Sequence, residues 1–281
     1  MRQAEVTEGV WSTLLGLREG ARRAPGPDWS AAERAAWDLY APIAGGADPG
    51  PYFFAQVGQS IDGRVATVSG DAADVSGHEG LCHLHRCRAL ADAVVIGVRT
   101  ALADNPRLTV RHVPGRHPVR VVLDPRGRLP DEAGLLSDAS AHRIVIQSVP
   151  RRRPDGVEVI TLPSREHVMN PRAIRDALLA RGLRRVLVEG GGTTIAHFLE
   201  AGLLDRLHVG VAPLIIGAGP SGLRTSPIDR LSQALRPRTA VYGLDTDVIF
   251  DCALDPSGSA SRSTWPTTAE EIPPAIAASR A

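Results

Sequence analysis

Residues 186–197 read VLVEGGGTTIAH, and no other stretch restricts the fold as much. A short apolar, β-branched run from Val186 to Val188 ends in an acid. Three glycines follow, then two threonines and the start of an apolar helical pattern. That order predicts strand, tight turn and helix N-terminus. Glycines let the backbone reach positive φ and let a ligand approach the amides. The first N–H groups of a helix lack internal partners, and the helix dipole favours an anion there. The segment can therefore hold a phosphate or pyrophosphate, with hydroxyls from Thr193 and Thr194. It can also be a plain glycine-rich turn, and it is not the GxGxxG fingerprint of a dinucleotide-binding first strand.

The rest of the chain alternates in the same way. Strands are predicted at 52–57, 93–97, 119–123, 143–146, 157–161 and 185–188, with helices at 79–91, 170–181 and 194–201. Asn170 as N-cap, Pro171 at N1 and Gly182 as stop frame one of these helices. Such alternation implies a mostly parallel sheet with right-handed crossovers. Residues 207–213, 240–244 and 247–252 read as antiparallel edge strands. Residues 1–50 read as a separate helical extension, with helices over 10–18 and from a Ser30 cap to Tyr40, closed by the linker AGGADPGP at 44–51. Residues 51–254 form the α/β domain. The Ser/Ala/Pro-rich stretch 255–281 is expected to be disordered.

Composition narrows the function. The 281 residues carry 32 basic and 31 acidic side chains, a net charge of +1, and only 4% aromatics. No basic run or stacking platform for nucleic acid appears. No apolar run is long enough to span a bilayer. Cys82, Cys87 and Cys252 make no metal spacing, and His83 and His85, two apart on a helix, point away from each other. No metal site is expected, and the three thiols suit a reducing, cytoplasmic setting. Zinc-deaminase, GxSxG, P-loop and HExxH motifs are all missing from the sequence.

Three further segments follow predicted strands, where α/β sheets bind ligands. GQSIDGRVAT at 58–67 has a strong Asp62-Gly63 turn signal. GVRTALADNPRLTVR at 97–111 reads as a long polar loop, with Arg111, like Arg88 earlier, suited to an anionic group. Asp104 suits a sugar hydroxyl or proton transfer. In LDPRGRLP at 123–130, Asp124 could hold a ribose and Arg126 or Arg128 a 2′-phosphate; an ordinary β-turn is the alternative.

In this order, SIDGRVAT, RALADAVVIGVRTALADNPRLTVR, PVRVVLD and VLVEGGGTTIAHFLEAGLLDRLHVGVAPLIIG resemble the pyrimidine reductases of riboflavin biosynthesis. These include the reductase domain of the bifunctional deaminase/reductase, and the likeness covers roughly residues 51–254. It implies an α/β, dihydrofolate-reductase-like fold. It further implies NADPH-dependent reduction of the ribosyl group of a 5-amino-6-(5-phosphoribosylamino)uracil-type substrate to the ribityl chain. By that resemblance Gly58, Thr100 and Asp104 lie at the cofactor, with Gly191, Gly192, Thr193, Thr194, Ile195, Ala196 and His197 as its phosphate-binding turn. Arg88, Leu108, Arg111 and Glu189 hold the substrate, and Asp104 is the catalytic candidate.

A homodimer is expected from the family pattern and from the apolar run VGVAPLIIG at 209–217. The chain departs from the pattern at Ala72 and Asp74, where a serine and a tryptophan are usual, and at Asn105, where a second aspartate is usual. A helical segment stands in place of the deaminase half. Two alternatives stay open: a reductase of a related heterocycle, and a non-catalytic nucleotide-binding protein on the same fold.

Overall fold

The computed structural model describes residues 1–45, 50–72 and 74–254. The expected disorder of 255–281, and half of the 44–51 linker, lie outside the described residues. The chain runs through β1 (Arg2–Gln3), α1 (Glu8–Arg18), α2 (Ala31–Ala44), β2 (Tyr52–Ser60), α3 (His78–Leu90), β3 (Ala93–Gly97) and α4 (Val98–Asp104). It continues through β4 (Val119–Leu123), α5 (Gly134–Ser137), β5 (Arg143–Gln147), β6 (Val157–Thr161), β7 (Ser164–Arg165) and β8 (Val168–Met169). Next come α6 (Pro171–Leu179), β9 (Arg185–Glu189), α7 (Gly192–Glu200), β10 (Arg206–Ala212), β11 (Arg238–Leu244) and β12 (Asp247–Ala253).

Ten strands form one sheet in the order β1-β11-β12-β10-β2-β9-β3-β4-β5-β6. From β10 to β6 every neighbouring pair is parallel. β12 pairs antiparallel with both β10 and β11. The segment at 207–213, expected at an edge, is therefore interior, with β2 on one side and β12 on the other. The outermost strand on that side is β1, which no hydrophobic pattern in the sequence announced.

Alternation along the strands divides the core into two layers. Phe53, Ala55, Val57, Val95, Val186 and Val188 face α6 and α7. Phe54, Val94, Ile96, Val122 and Leu187 face the other side, with Cys87 and Leu90 of α3. Val10, Leu14, Leu39 and Ile43 of α1 and α2 belong to this second layer and are fully buried. The N-terminal helices are present as predicted but are not separate from the sheet's core. Trp11 Nε1 donates to Pro114 O at 2.8 Å, and Arg18 pairs with Asp92, whose other oxygen accepts from the amides of Arg184 and Arg185. At roughly 1.5–3 kcal/mol per buried aliphatic or aromatic side chain, this packing is a large share of a domain's net stability.

One segment folds differently from its reading as a loop. Residues 98–104 make α4, because VRTALAD is rich in good helix formers. Asn105 ends it in the left-handed region (φ 39, ψ 52), and Pro106 prevents continuation.

Candidate active site

β9 returns between β2 and β3, and the chain then moves to the opposite side of β2. Parallel neighbours end at one edge of the sheet, so the ends of β2, β9 and β3 open together where strand order reverses. Open α/β sheets bind ligands at such a point. A cavity of about 500 Å³ lies there, walled by the glycine turn, Thr100 and Asp104 of α4, Gly80 and Leu84 of α3, Ala72, Asp74 and Ser76 before α3, and Ser221 and Arg224 after β10.

The glycine turn is built for close approach. Gly190 and Gly191 have φ of 62° and 57°. A Cβ on either would stand 2.8 or 2.7 Å from Thr100, and one on Gly192 would meet the Gly222 carbonyl oxygen at 2.5 Å. Gly191 caps α7 without any side-chain hydrogen bond, so the first amides of the helix are left for an anion. Arg99 and Arg224 line the same cavity, and the Arg224 amide donates to Gly192 O at 3.3 Å. This cradle of bare amides flanked by two guanidiniums fits the phosphates of a dinucleotide. Nothing local in the sequence marked either arginine: Arg99 sits in the unforeseen helix, Arg224 in an irregular segment.

Beside the turn lies a charged cluster. Arg88 donates from Nε and Nη2 to both oxygens of Glu189, at 2.8 and 2.5 Å, and from Nη1 to Thr109 O at 3.2 Å. Both side chains are nearly buried. Arg111 reaches the same threonine, donating from Nη1 to its Oγ1 at 2.6 Å, while its amide donates to His85 Nδ1 at 2.9 Å. Arg88 and Arg111 both reach Thr109, although 23 positions separate them in sequence, and neither is part of the cavity wall. They are not equivalent: Arg88 is committed to Glu189, and Arg111 is exposed. Asp104 faces the cavity from the last turn of α4. Desolvation, and secondly the Glu189 charge, raise its pKa above the ordinary carboxylate value.

Comparison with known proteins agrees with this architecture. The RibD C-terminal domain model matches residues 51–240, more than half of the chain. The chain belongs to this family. A relative named 2,5-diamino-6-ribosylamino-4(3H)-pyrimidinone 5′-phosphate reductase, from Methanothermobacter thermautotrophicus, is 34% identical over 72% of this chain and 97% of its own length. The riboflavin biosynthesis protein RibD of Aquifex aeolicus is 35% identical over 71% of this chain and 57% of itself. The chain thus spans nearly all of the first and little more than half of the second. Among solved structures, the Saccharomyces cerevisiae riboflavin biosynthesis reductase Rib7 superposes with a TM-score of 0.63 at 23% identity, over 78% of this chain and 97% of that one. The Thermotoga maritima deaminase/reductase gives 0.66 at 23%, over 80% and 63%. These two show the fold, which is the dihydrofolate-reductase-like fold of the family.

Within that family frame, not every expected residue faces the cavity. Gly58, Thr100, Asp104, Glu189, Gly191, Gly192 and Thr193 line it, as do Ala72 and Asp74. A Cβ on Gly58 would meet Ser76 Oγ at 2.9 Å, so that glycine admits Ser76. Ile195 and Ala196 are fully buried, Ile195 in the core under α7, and His197 lies further along the same helix. Thr194 turns its hydroxyl toward Gly97. Leu108 is 1% exposed with φ 54, so any ligand would meet its backbone.

At Asp124 the β-turn alternative holds. It is fully buried, accepts from the amides of Arg128 and Leu129 at 2.8 Å each, and pairs with Arg153 at 2.6 Å. It is a turn anchor at the end of β4, outside the cavity wall. Arg126, offered for a 2′-phosphate, lies by the neighbouring β5–β6 loops, and Arg128 does not reach the cavity either.

Proposed function

We propose that this chain is an NADPH-dependent reductase of riboflavin biosynthesis. Its substrate is 5-amino-6-(5-phosphoribosylamino)uracil, or the undeaminated diamino-pyrimidinone analogue in the name of the archaeal relative, and its product carries a ribityl chain. The observation that carries this reading is the meeting, in one cavity wall, of the glycine cradle with Asp104 and Glu189, the latter paired from behind with Arg88.

Each residue has a physical task. The amides at Gly192 and Thr193 take the cofactor pyrophosphate, and Arg99 and Arg224 favour the extra 2′-phosphate of NADPH over NADH. Arg111, exposed and carrying a charge that Arg88 and Arg107 crowd, receives the substrate phosphate. Arg88 fixes Glu189 so that its carboxylate can orient the pyrimidine or sugar. The ribosylamine opens when its N–H proton passes to the ring oxygen, leaving a C1=N imine. The cofactor, when bound, supplies hydride to that C1. The nitrogen then needs one proton, and Asp104, in the cavity wall with its carboxyl pKa raised by desolvation and the Glu189 charge, is placed to deliver it.

A second reading has one observation in its favour. Ala72 and Asp74 form part of the cavity wall, and Asp74 sits at φ 60. An acid in place of an aromatic there suits a related ribosylated heterocycle. Support for a homodimer comes from Ile215, Ile228, Leu231 and Leu235, apolar side chains left about half or more exposed in the segment after β10.

The test is NADPH oxidation by the purified protein with the phosphorylated and the dephosphorylated substrate, each in deaminated and undeaminated form. Turnover should require the phosphate. Equal turnover without it would remove Arg111 from its assigned role, and turnover only of another heterocycle would favour the second reading.

A further inference from the structure

Beneath α3, one face of the sheet carries a row of buried polar side chains in register: Asp251, His208, Gln56 and Glu189 on β12, β10, β2 and β9. Glu189 meets Arg88. The other end of the row meets two residues that the reduction does not use. His83 and Cys87 stand four apart on α3 and so share a face, and both, like His208 opposite them, are fully buried.

His83 Nε2 lies 3.2 Å from His208 Nδ1 and 3.8 Å from Cys87 Sγ, which lies 4.0 Å from His208 Nδ1. A triangle with these sides has a circumradius of about 2.1 Å, so one point is that far from all three donors. Metal–nitrogen and metal–thiolate bonds in d10 sites are about 2.0–2.3 Å. The far nitrogens of both rings face polar groups. Tyr40 Oη lies 2.8 Å from His83 Nδ1, and Asp251 Oδ1 lies 3.3 Å from His208 Nε2. This is how outer groups usually orient metal-binding imidazoles. The His208 Nε2 contact with Asp251 is an ion-pair distance without hydrogen-bond geometry.

We propose that His83, Cys87 and His208 bind a thiophilic d10 cation, Cu(I) or Zn2+. Binding replaces the Cys87 S–H proton, which leaves to solvent. Two imidazoles and one thiolate suit both ions. Cu(I) is the better match, because three buried donors make a complete trigonal site. Its single charge also balances the one thiolate, while Asp251 is paired with Arg206 at 2.5 Å. The cation would clamp α3 to β10. Arg88 follows Cys87 directly, so the clamp would hold the helix in the register that sets Arg88 on Glu189. Sequence spacing hides the set, since His208 lies 121 positions from Cys87. The proposal stands whether or not the reductase reading does.

The experiment uses the full-length protein stripped of metal and titrated anaerobically with Cu(I), and separately with Zn2+, against a competing chelator. Cys87→Ser, His208→Asn and the control Cys252→Ser are run beside it. Wild type and Cys252→Ser should take up one equivalent and gain thermal stability with it. Cys87→Ser and His208→Asn should bind at least a hundredfold more weakly. Should those variants not fold, X-ray absorption of the loaded wild type decides: the proposal requires one sulfur and two nitrogen neighbours. No stoichiometric uptake of either ion, or uptake unchanged in both variants or with another ligand set, would overturn it. The cluster is then a buried polar chain from Tyr40 through His83 and His208 to Asp251.

Discussion

Asp104 and Asn105 are adjacent and do opposite work. Asn105 takes the left-handed cap and accepts from the Gly134 amide at 2.8 Å. Structuring this corner therefore falls to it, and among aspartate and asparagine the amide suits that backbone as well. Asp104 makes no local turn bond of this kind and faces the cavity. We expect Asp104→Asn to lower kcat about a hundredfold or more with NADPH binding retained; near-wild-type turnover across pH would return the residue to the scaffold. Arg111→Ala should raise KM for the phosphorylated substrate roughly tenfold or more, as loss of a charge-assisted contact does. Arg88→Ala should instead lower stability as well as activity, because it strands the buried Glu189 carboxylate. Asp62 shows what a turn acid looks like by contrast. It accepts from the Ser60 hydroxyl and from the amides of Ile216 and Gly217, and these bonds lower its pKa to about 2. A depressed carboxylate pKa adds stability above its unfolded value and loses it as pH falls toward the folded one. Asp62→Asn should therefore flatten the acid dependence of unfolding between about pH 4 and pH 2.

At the scale of elements, the sequence made the central strands and the glycine turn legible because each carries a local signal. β3, β4 and β6 lie where alternation and turn residues place them, and α6 begins at its Asn170 cap, whose side chain accepts from the Arg172 amide. α4 was missed because polar residues in VRTALAD outweighed helix propensity in the reading. The arginines at 99 and 224 were missed because their meeting at the turn is a tertiary fact. Asp124 was left open between a ribose contact and a turn for the same reason: its partner Arg153 arrives from another loop. The turn itself allows a sharp prediction. Gly191→Val places a branched side chain at positive φ and against Thr100. It should cost at least about 2 kcal/mol of cofactor binding, and unchanged affinity for NADPH would refute the site.

At the scale of the molecule, the N-terminal helices are part of the core that carries α3 and hence Arg88. Periodicity revealed the helices but not their docking, because an amphipathic face does not name what it packs on. Deleting residues 1–44 would remove Val10, Leu14, Leu39, Tyr40 and Ile43, all fully buried, and expose the apolar surface of α3 and the sheet that they cover. That loss approaches a domain's whole stability of about 5–15 kcal/mol, so the truncated chain should fail to fold, as circular dichroism would show. Sedimentation at micromolar concentration should give a dimer, and a monomer would contradict the proposed assembly. The central claim is that hydride reaches the sugar C1 in the cavity at the reversal of strand order. Its most direct test is one turnover with NADPH deuterated at the transferable position, followed by mass spectrometry and NMR of the product. The account predicts a ribityl product carrying one deuterium, at C1. Cofactor oxidation without deuterium in the product, or deuterium on the pyrimidine ring, would contradict it.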